Sequence, residues 1–247
     1  MKREHHSWFS PALQRTMELL VFGHAGEKVL IFPTRDGRFH EYEDLRIVEA
    51  LRPWIEAGAM QLICLDNIAH ESLYCFWCRP HDRFLRYQAF ERYVLTEVLP
   101  WMREHSPPGD VVAHGLSMGA FFATNFALRH PEQVQRLVAF SGRYDLTRAV
   151  EHFGDLLDGY YDDTVYFNTP LHFLPNLEQA DLLTKLRTLR VTFAVGRDDP
   201  FMPQNIELHQ QLLHKGVQSE LHLWDGRAHQ GGAWRRMAPF YVPSIAL

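Results

Sequence analysis

The stretch that decides the fold is Val111-Val112-Ala113-His114-Gly115-Leu116-Ser117-Met118-Gly119-Ala120-Phe121-Phe122, an apolar run, a serine between two glycines, and then a helix-like run. G-x-S-x-G between a buried strand and a helix marks a turn so tight that flanking glycines are needed where strand and helix approach. Such a turn lifts the serine hydroxyl above the carboxyl end of a sheet. It also aims the first amide of the helix, that of Met118, at the point where an oxyanion would form. Five residues with three fixed positions are a weak signal alone, so the rest of the chain has to support it.

Working outward, short apolar runs alternate with helical patterns. Val29-Leu30-Ile31-Phe32, Leu62-Ile63-Cys64-Leu65, Leu137-Val138-Ala139-Phe140, Val191-Thr192-Phe193-Ala194-Val195 and Leu221-His222-Leu223-Trp224 read as strands. Helical spacing runs from about Glu43 to Ala57, broken at Pro53, and from about Asp82 to Glu104 with Leu85, Phe90, Tyr93, Val94, Val98 and Leu99 on one face. A further helix is expected from Asn205 to Leu213. Ser7 to Ser10 and Met17 to Gly23, on either side of Pro11, read as an antiparallel hairpin at a sheet edge. The pattern predicts an α/β fold with a mostly parallel sheet of about eight strands and helices on both faces. Residues 1–247 are expected to form one domain, with an irregular, cap-like insertion at about 144–182.

Composition narrows the class. The chain has 247 residues, 46% hydrophobic and 13% aromatic, with 25 Lys+Arg against 30 Asp+Glu and a formal charge of -5. That is a globular composition without the basic block that nucleic-acid binding would use, and no apolar run reaches the ~18 residues of a membrane span. The first residues, MKREHHSWFSPALQ, lack the apolar core of a signal peptide. Three cysteines suit a reducing compartment better than a disulfide framework, so a cytoplasmic protein is expected. Assembly into a homo-oligomer is compatible with this reading.

A serine hydroxyl needs a histidine base, and that histidine needs a carboxylate to hold its tautomer. In this architecture the chain order is serine, acid, histidine. Asp198 and Asp199 follow the strand ending at Gly196, and His229 lies in the loop after the strand ending at Trp224. Both places are carboxyl ends of strands, where sites of open sheets collect. Among 15 histidines, His229 stands out by position, since His114 and His222 lie within strands and His209 and His214 on a polar helix. Loop geometry favours Asp199 over Asp198. The second oxyanion donor is expected from the loop Phe32 to Gly37, where Pro33 has no N–H, leaving the amide of Arg35 or of Thr34.

With these residues in place the sequence resembles the esterase branch of the α/β-hydrolases that includes S-formylglutathione hydrolases, feruloyl and enterobactin esterases and mycolyltransferases. The resemblance runs through VLIFPTRDGRFHEYED, HGLSMGAFFATNFALRHPE, VAFSGRYDL, YYDDTVYFNTPLHFLPNL, VGRDDPF and LHLWDGRAHQGGAWRRMAPFYV, nearly the whole chain. It implies Ser117 as nucleophile, Asp199 as acid, His229 as base, and Met118 and Arg35 as oxyanion donors. It implies a small-molecule acyl ester or thioester as substrate, with no metal or organic cofactor; the charge balance and the apolar runs already argue against a nucleic-acid or membrane partner.

Two departures from the family pattern are visible. Gln230-Gly231-Gly232-Ala233-Trp234 follows His229 where relatives place an aromatic cluster, so that only one aromatic remains and the glycines and alanine predict a more open or flexible wall beside the base. Arg35-Asp36-Gly37 replaces a glycine-rich oxyanion loop, and a carboxylate there opposes an oxyanion unless it points away. A chain that keeps the fold as a non-catalytic binding scaffold is the competing reading. Cys75 and Cys78 form a CxxC near His70 and His81, but no second CxxC or histidine pair follows at ligand spacing. They are read as ordinary cysteines in a loop near the site, not as a zinc or redox centre. Tyr160-Tyr161-Asp162-Asp163, with Phe167 and Phe173, is a candidate wall of the substrate cleft.

Overall fold

Strands β3 (Glu27–Phe32), β4 (Met60–Leu65), β5 (Val111–Leu116) and β6 (Arg136–Phe140) are buried along nearly their whole length. Alternate residues point to opposite faces of a sheet, so these runs can be apolar at every position only if both faces are covered. In β3, Leu30 and Phe32 join one hydrophobic core while Val29 and Ile31 join another on the opposite face. This is a computed structural model, and it describes residues 1–244.

The sheet has eight strands in the order β1-β2-β4-β3-β5-β6-β7-β8, with β1 (Arg3–Ser10), β2 (Arg15–Phe22), β7 (Arg190–Gly196) and β8 (Gln218–Trp224) completing it. From β3 and β4 onward the pairings are parallel, and β1, β2 and β4 pair antiparallel. The expected edge hairpin is β1 and β2. Glu97 fastens its turn by accepting from Trp8 Nε1, Ser10 Oγ and the Ala12 amide.

The helices Pro80–Tyr93, Met118–Arg129 and Met202–His214 cover one face, with Phe84, Phe90, Phe122, Phe126 and Leu208 in its core. Three short helices between Glu41 and Glu56, and the helix Gly231–Tyr241, cover the other. Chain order reverses about β3. The chain leaves β3 for β4 on one side and returns to β5 on the other, so the carboxyl ends of β3 and β5 flank the switch point where ligand crevices form in open sheets.

Several local expectations are corrected. The helix expected over 43–57 is broken at Arg46, which is left-handed (φ 58°), whereas Pro53 is harmless in the first turn of Arg52–Glu56. Leu85 points to solvent at 48% exposure, while Phe90, Tyr93, Val94, Val98 and Leu99 are buried as expected. Helical structure continues to His105 through a wider π-type turn at Val94–Val98, which rotates the buried face relative to an uninterrupted helix. Cys75 and Cys78 are joined in a disulfide, so they are not the ordinary cysteines expected; Cys64 is free and buried. The paired loop is held by Arg83, a buried guanidinium that donates to the carbonyls of Phe76, Cys78 and Leu156. No helix among the described residues is long and apolar enough to cross a membrane.

Candidate active site

Ser117 sits between β5 and the helix Met118–Arg129 with φ 53° and ψ -116°, a conformation an L-residue holds only when its surroundings enforce it. The flanking glycines are what allow the turn. A Cβ on Gly115 would lie 2.1 Å from Gly119 O, and one on Gly119 would lie 2.0 Å from Phe32 O and 2.6 Å from Pro33 O. The Ser117 turn is thus pressed against the end of β3, which brings the loop after β3 over the serine.

The next two side chains come from strand ends further along the sheet. Asp199 closes a turn after β7, its amide donating to Gly196 O at 3.1 Å and its Oδ1 accepting from the Phe201 amide at 2.9 Å. Its carboxylate is fully buried. Asp198 is exposed and its amide bonds Gly226 O, so it belongs to the turn and not to the histidine. His229 follows β8 in a loop bent by Ala228 (φ 49°). His229 Nδ1 lies 2.9 Å from Asp199 Oδ2, and His229 Nε2 lies 2.9 Å from Ser117 Oγ. With Nδ1–H donating to the buried carboxylate, Nε2 is left to accept a hydrogen bond from Ser117 Oγ.

The loop after β3 distinguishes the two amides that the sequence left open. Thr34 N–H already donates to Glu41 Oε2 at 2.9 Å, with a second bond from Thr34 Oγ1 to Glu41 Oε1. Among the described residues the amides of Arg35 and Met118 donate to nothing. Asn67, at the end of β4, holds this loop from beneath. Its Nδ2 donates to the carbonyls of Thr34, Arg35 and Gly37 at 2.6, 2.7 and 2.9 Å. Neither Glu41 nor Asn67 was singled out from the sequence. The only signal for Asn67 was its place just past a strand's carboxyl end.

Asp36 lines the same cavity as Ser117, but its carboxylate is paired. Arg35 pairs with it through Nε and Nη2, and His70 Nε2 lies 2.9 Å from it. The hydrogen bonds from Arg35 hold its carboxyl below the usual range, with His70 adding to the effect.

Ser117, Met118 and His229 open into a cavity of about 230 Å³ lined also by Arg35, Tyr74, Arg143, Phe153, Phe201 and Trp234. Larger hollows exist elsewhere, but they do not contain Ser117. The open wall expected beside the base is not found. Trp234 packs against the His229 ring with centroids 5.3 Å apart and Phe201 at 5.9 Å, both nearly buried. Trp234 Nε1 donates to Ser141 Oγ at 3.3 Å, and Ala233 is small because it is buried under the sheet. The Tyr160 region is likewise displaced from expectation. Phe167 and Phe173 line a separate cavity with Leu128 and His130, and Tyr160 bonds Asp162. The segment between β6 and β7 reaches the site through Arg143 and Phe153 instead.

The family model described as "Putative esterase" matches residues 46–237, more than half of the chain and including Ser117, Asp199 and His229. The chain belongs to this esterase family. The Arg35 loop precedes the matched residues. Among solved structures, a ferulic acid esterase is similar over 98% of this chain and 96% of its own, at TM-score 0.75 and 20% identity. The S-formylglutathione hydrolase of Agrobacterium tumefaciens follows at TM-score 0.72 and 14% identity, covering 95% and 91%. FphF, a fluorophosphonate-binding serine hydrolase of Staphylococcus aureus, gives 0.69 and 16%, covering 95% and 94%. At these identities the structural likenesses establish the α/β-hydrolase fold. No curated protein sequence matches the chain.

Proposed function

We propose that this esterase is a serine hydrolase that cleaves an ester or thioester of a small acyl group in two steps. The observation that carries the reading is the unbroken hydrogen-bonded line Ser117 Oγ, His229 Nε2, His229 Nδ1, Asp199 Oδ2. In the first step His229 Nε2 takes the Ser117 proton as Oγ attacks the carbonyl carbon. The carbonyl oxygen becomes an oxyanion, stabilised by the amides of Met118 and Arg35. The tetrahedral intermediate collapses, the proton on Nε2 passes to the leaving alcohol or thiol, and the acyl group stays on Oγ. A water then attacks the acyl carbon, giving a proton to Nε2; the bond to Oγ breaks, the proton on Nε2 returns to Ser117 Oγ, and the acid is released.

Asp199 stays ionised and holds the imidazole in the tautomer that leaves Nε2 free. Asn67 and Glu41 position the Arg35 amide, one by drawing the loop carbonyls toward itself and the other by occupying Thr34.

The test is incubation with an alkyl fluorophosphonate followed by intact-mass measurement, with turnover of short p-nitrophenyl esters in parallel. One phosphonyl adduct and measurable turnover are expected, both lost in Ser117→Ala. A folded protein that gains no mass and turns over no ester would be a binding scaffold instead.

A further inference from the structure

Three arginines have their guanidinium region buried among the described residues: Arg83, Arg136 and Arg143. Arg83 reaches the Asp158 carboxylate at 3.4 Å, and Arg136 reaches Glu27 at 3.0 Å. Arg143, 4% exposed, differs from both. Its Nε donates to Asp145 O at 3.3 Å, and its Nη2 contacts the carbonyls of Leu146, Arg148 and Gly154 at 3.3, 2.9 and 2.7 Å. Among the described residues it forms no ion pair, and its Nη1 donates to no acceptor. Arg143 is also the one of the three that lines the cavity over Ser117.

The nearby acids are committed elsewhere. Asp145 accepts from Thr147 and Arg148 and faces His172 at 3.2 Å, and Asp155 accepts from the amides of Leu157 and Gly159. Within the cavity, Arg35 and Asp36 neutralise one another. Asp199 is engaged with His229. The cavity is therefore left with a cation that no carboxylate pairs with directly among the described residues, Asp145 and Asp155 acting on it only from a distance. The Phe201 ring, 5.7 Å from its guanidinium carbon, offsets part of the cost. Burial weakens Arg143's hold on its proton, and the pull of Tyr74, Asp145 and Asp155 offsets only part of that effect.

We propose that the substrate carries a carboxylate, which binds the free edge of the Arg143 guanidinium while its ester carbonyl lies at Ser117. Arg143 is then a specificity-determining residue, selecting half-esters of short dicarboxylic acids over uncharged esters of similar length. A cavity of about 230 Å³ suits a short chain. A guanidinium offers a carboxylate directional, charge-assisted hydrogen bonds that an uncharged ester end cannot form. The inference rests on the hydrolase reading for the role of Ser117, but the binding step can be read without chemistry.

The experiment has two arms. Ser117→Ala is titrated calorimetrically with methyl hydrogen glutarate and with methyl pentanoate, and wild type is assayed on the same pair by pH-stat. The half-ester is expected to bind about tenfold tighter or better, with a similar preference in kcat/KM. Arg143→Gln should bring both ratios close to one, and Arg143→Lys should restore part of them. Equal affinity for the two esters in Ser117→Ala overturns the proposal, and so does an undiminished ratio in folded Arg143→Gln. If the glutamine variant does not fold, the comparison within Ser117→Ala still decides. Selective binding of the half-ester with turnover of neither ester would uphold recognition by Arg143 and overturn the hydrolase reading.

Discussion

The carboxamide of Asn67 donates to the Arg35 carbonyl at 2.7 Å while gripping Thr34 and Gly37 on either side. A carbonyl drawn toward Asn67 fixes the peptide planes of the loop, and with them the direction of the Arg35 N–H. Asn67→Leu removes all three bonds without removing a group that touches substrate. It is expected to lower kcat about ten- to a hundredfold, somewhat less than outright loss of an oxyanion donor, with a smaller effect on KM. Steady-state kinetics on a p-nitrophenyl ester checks this. A kcat unchanged within twofold would mean that the loop holds itself.

Asp199→Asn preserves size but makes the side chain a donor as well as an acceptor toward His229 Nδ1, which favours the wrong tautomer. A loss in kcat of about 10⁴-fold is expected, with substrate binding largely retained. Asp198→Asn, on the exposed neighbour, should stay within about twofold of wild type. Comparable losses in the two variants would reassign the acid.

Gly119→Ala places a methyl group where Phe32 O and Pro33 O already stand. Neither atom is the free end of a side chain, so the helix Met118–Arg129 and the end of β3 must separate. Lower thermal stability and a kcat loss in the same variant are expected, because this contact also sets the Met118 amide against the Arg35 loop. Calorimetry and kinetics on the purified variant would reveal it, and wild-type values for both would refute the close approach.

His114 lies on β5, fully buried between the Tyr42 and Phe140 rings, with Nδ1 2.6 Å from Val138 O and no partner for Nε2 among the described residues. Burial lowers its pKa from 6.5 to about 4. Between those values the unfolded chain takes up the proton first, so stability falls as pH drops from 6.5 toward 4, and the group costs nothing above that window. The full loss is about 3 kcal/mol, reached near pH 4. Urea unfolding of wild type and His114→Gln at several pH values isolates this contribution. Parallel curves for the two proteins would show that His114 accepts a proton in the fold without penalty.

Some of this was legible residue by residue. Apolar runs at strand length, alternating with helical spacing, marked the covered parallel sheet, because a strand buried on both faces must be apolar throughout. G-x-S-x-G marked a tight turn through local sterics, and Asp199 and His229 were conspicuous because each follows a strand. Errors arose where distant segments compete. Leu85 lies about 140° around its helix from Phe90 and faces solvent, while Phe84 and Tyr87 take the buried face, and Phe167 and Phe173 pack around another hollow.

What the sequence by itself determined, then, is the series of strands and turns and the order in which chemically competent side chains occur. Tertiary structure alone decided which loops meet. The reversal of chain order about β3 brings the ends of β3, β4, β5, β6, β7 and β8 to one crevice. There Asn67 finds the Arg35 loop, Phe201 and Trp234 close around His229, and Arg143 lines the cavity over Ser117 without an ion pair among the described residues. Spacing along the chain carries no record of such contacts, because they join residues tens of positions apart through the order of strands in the sheet.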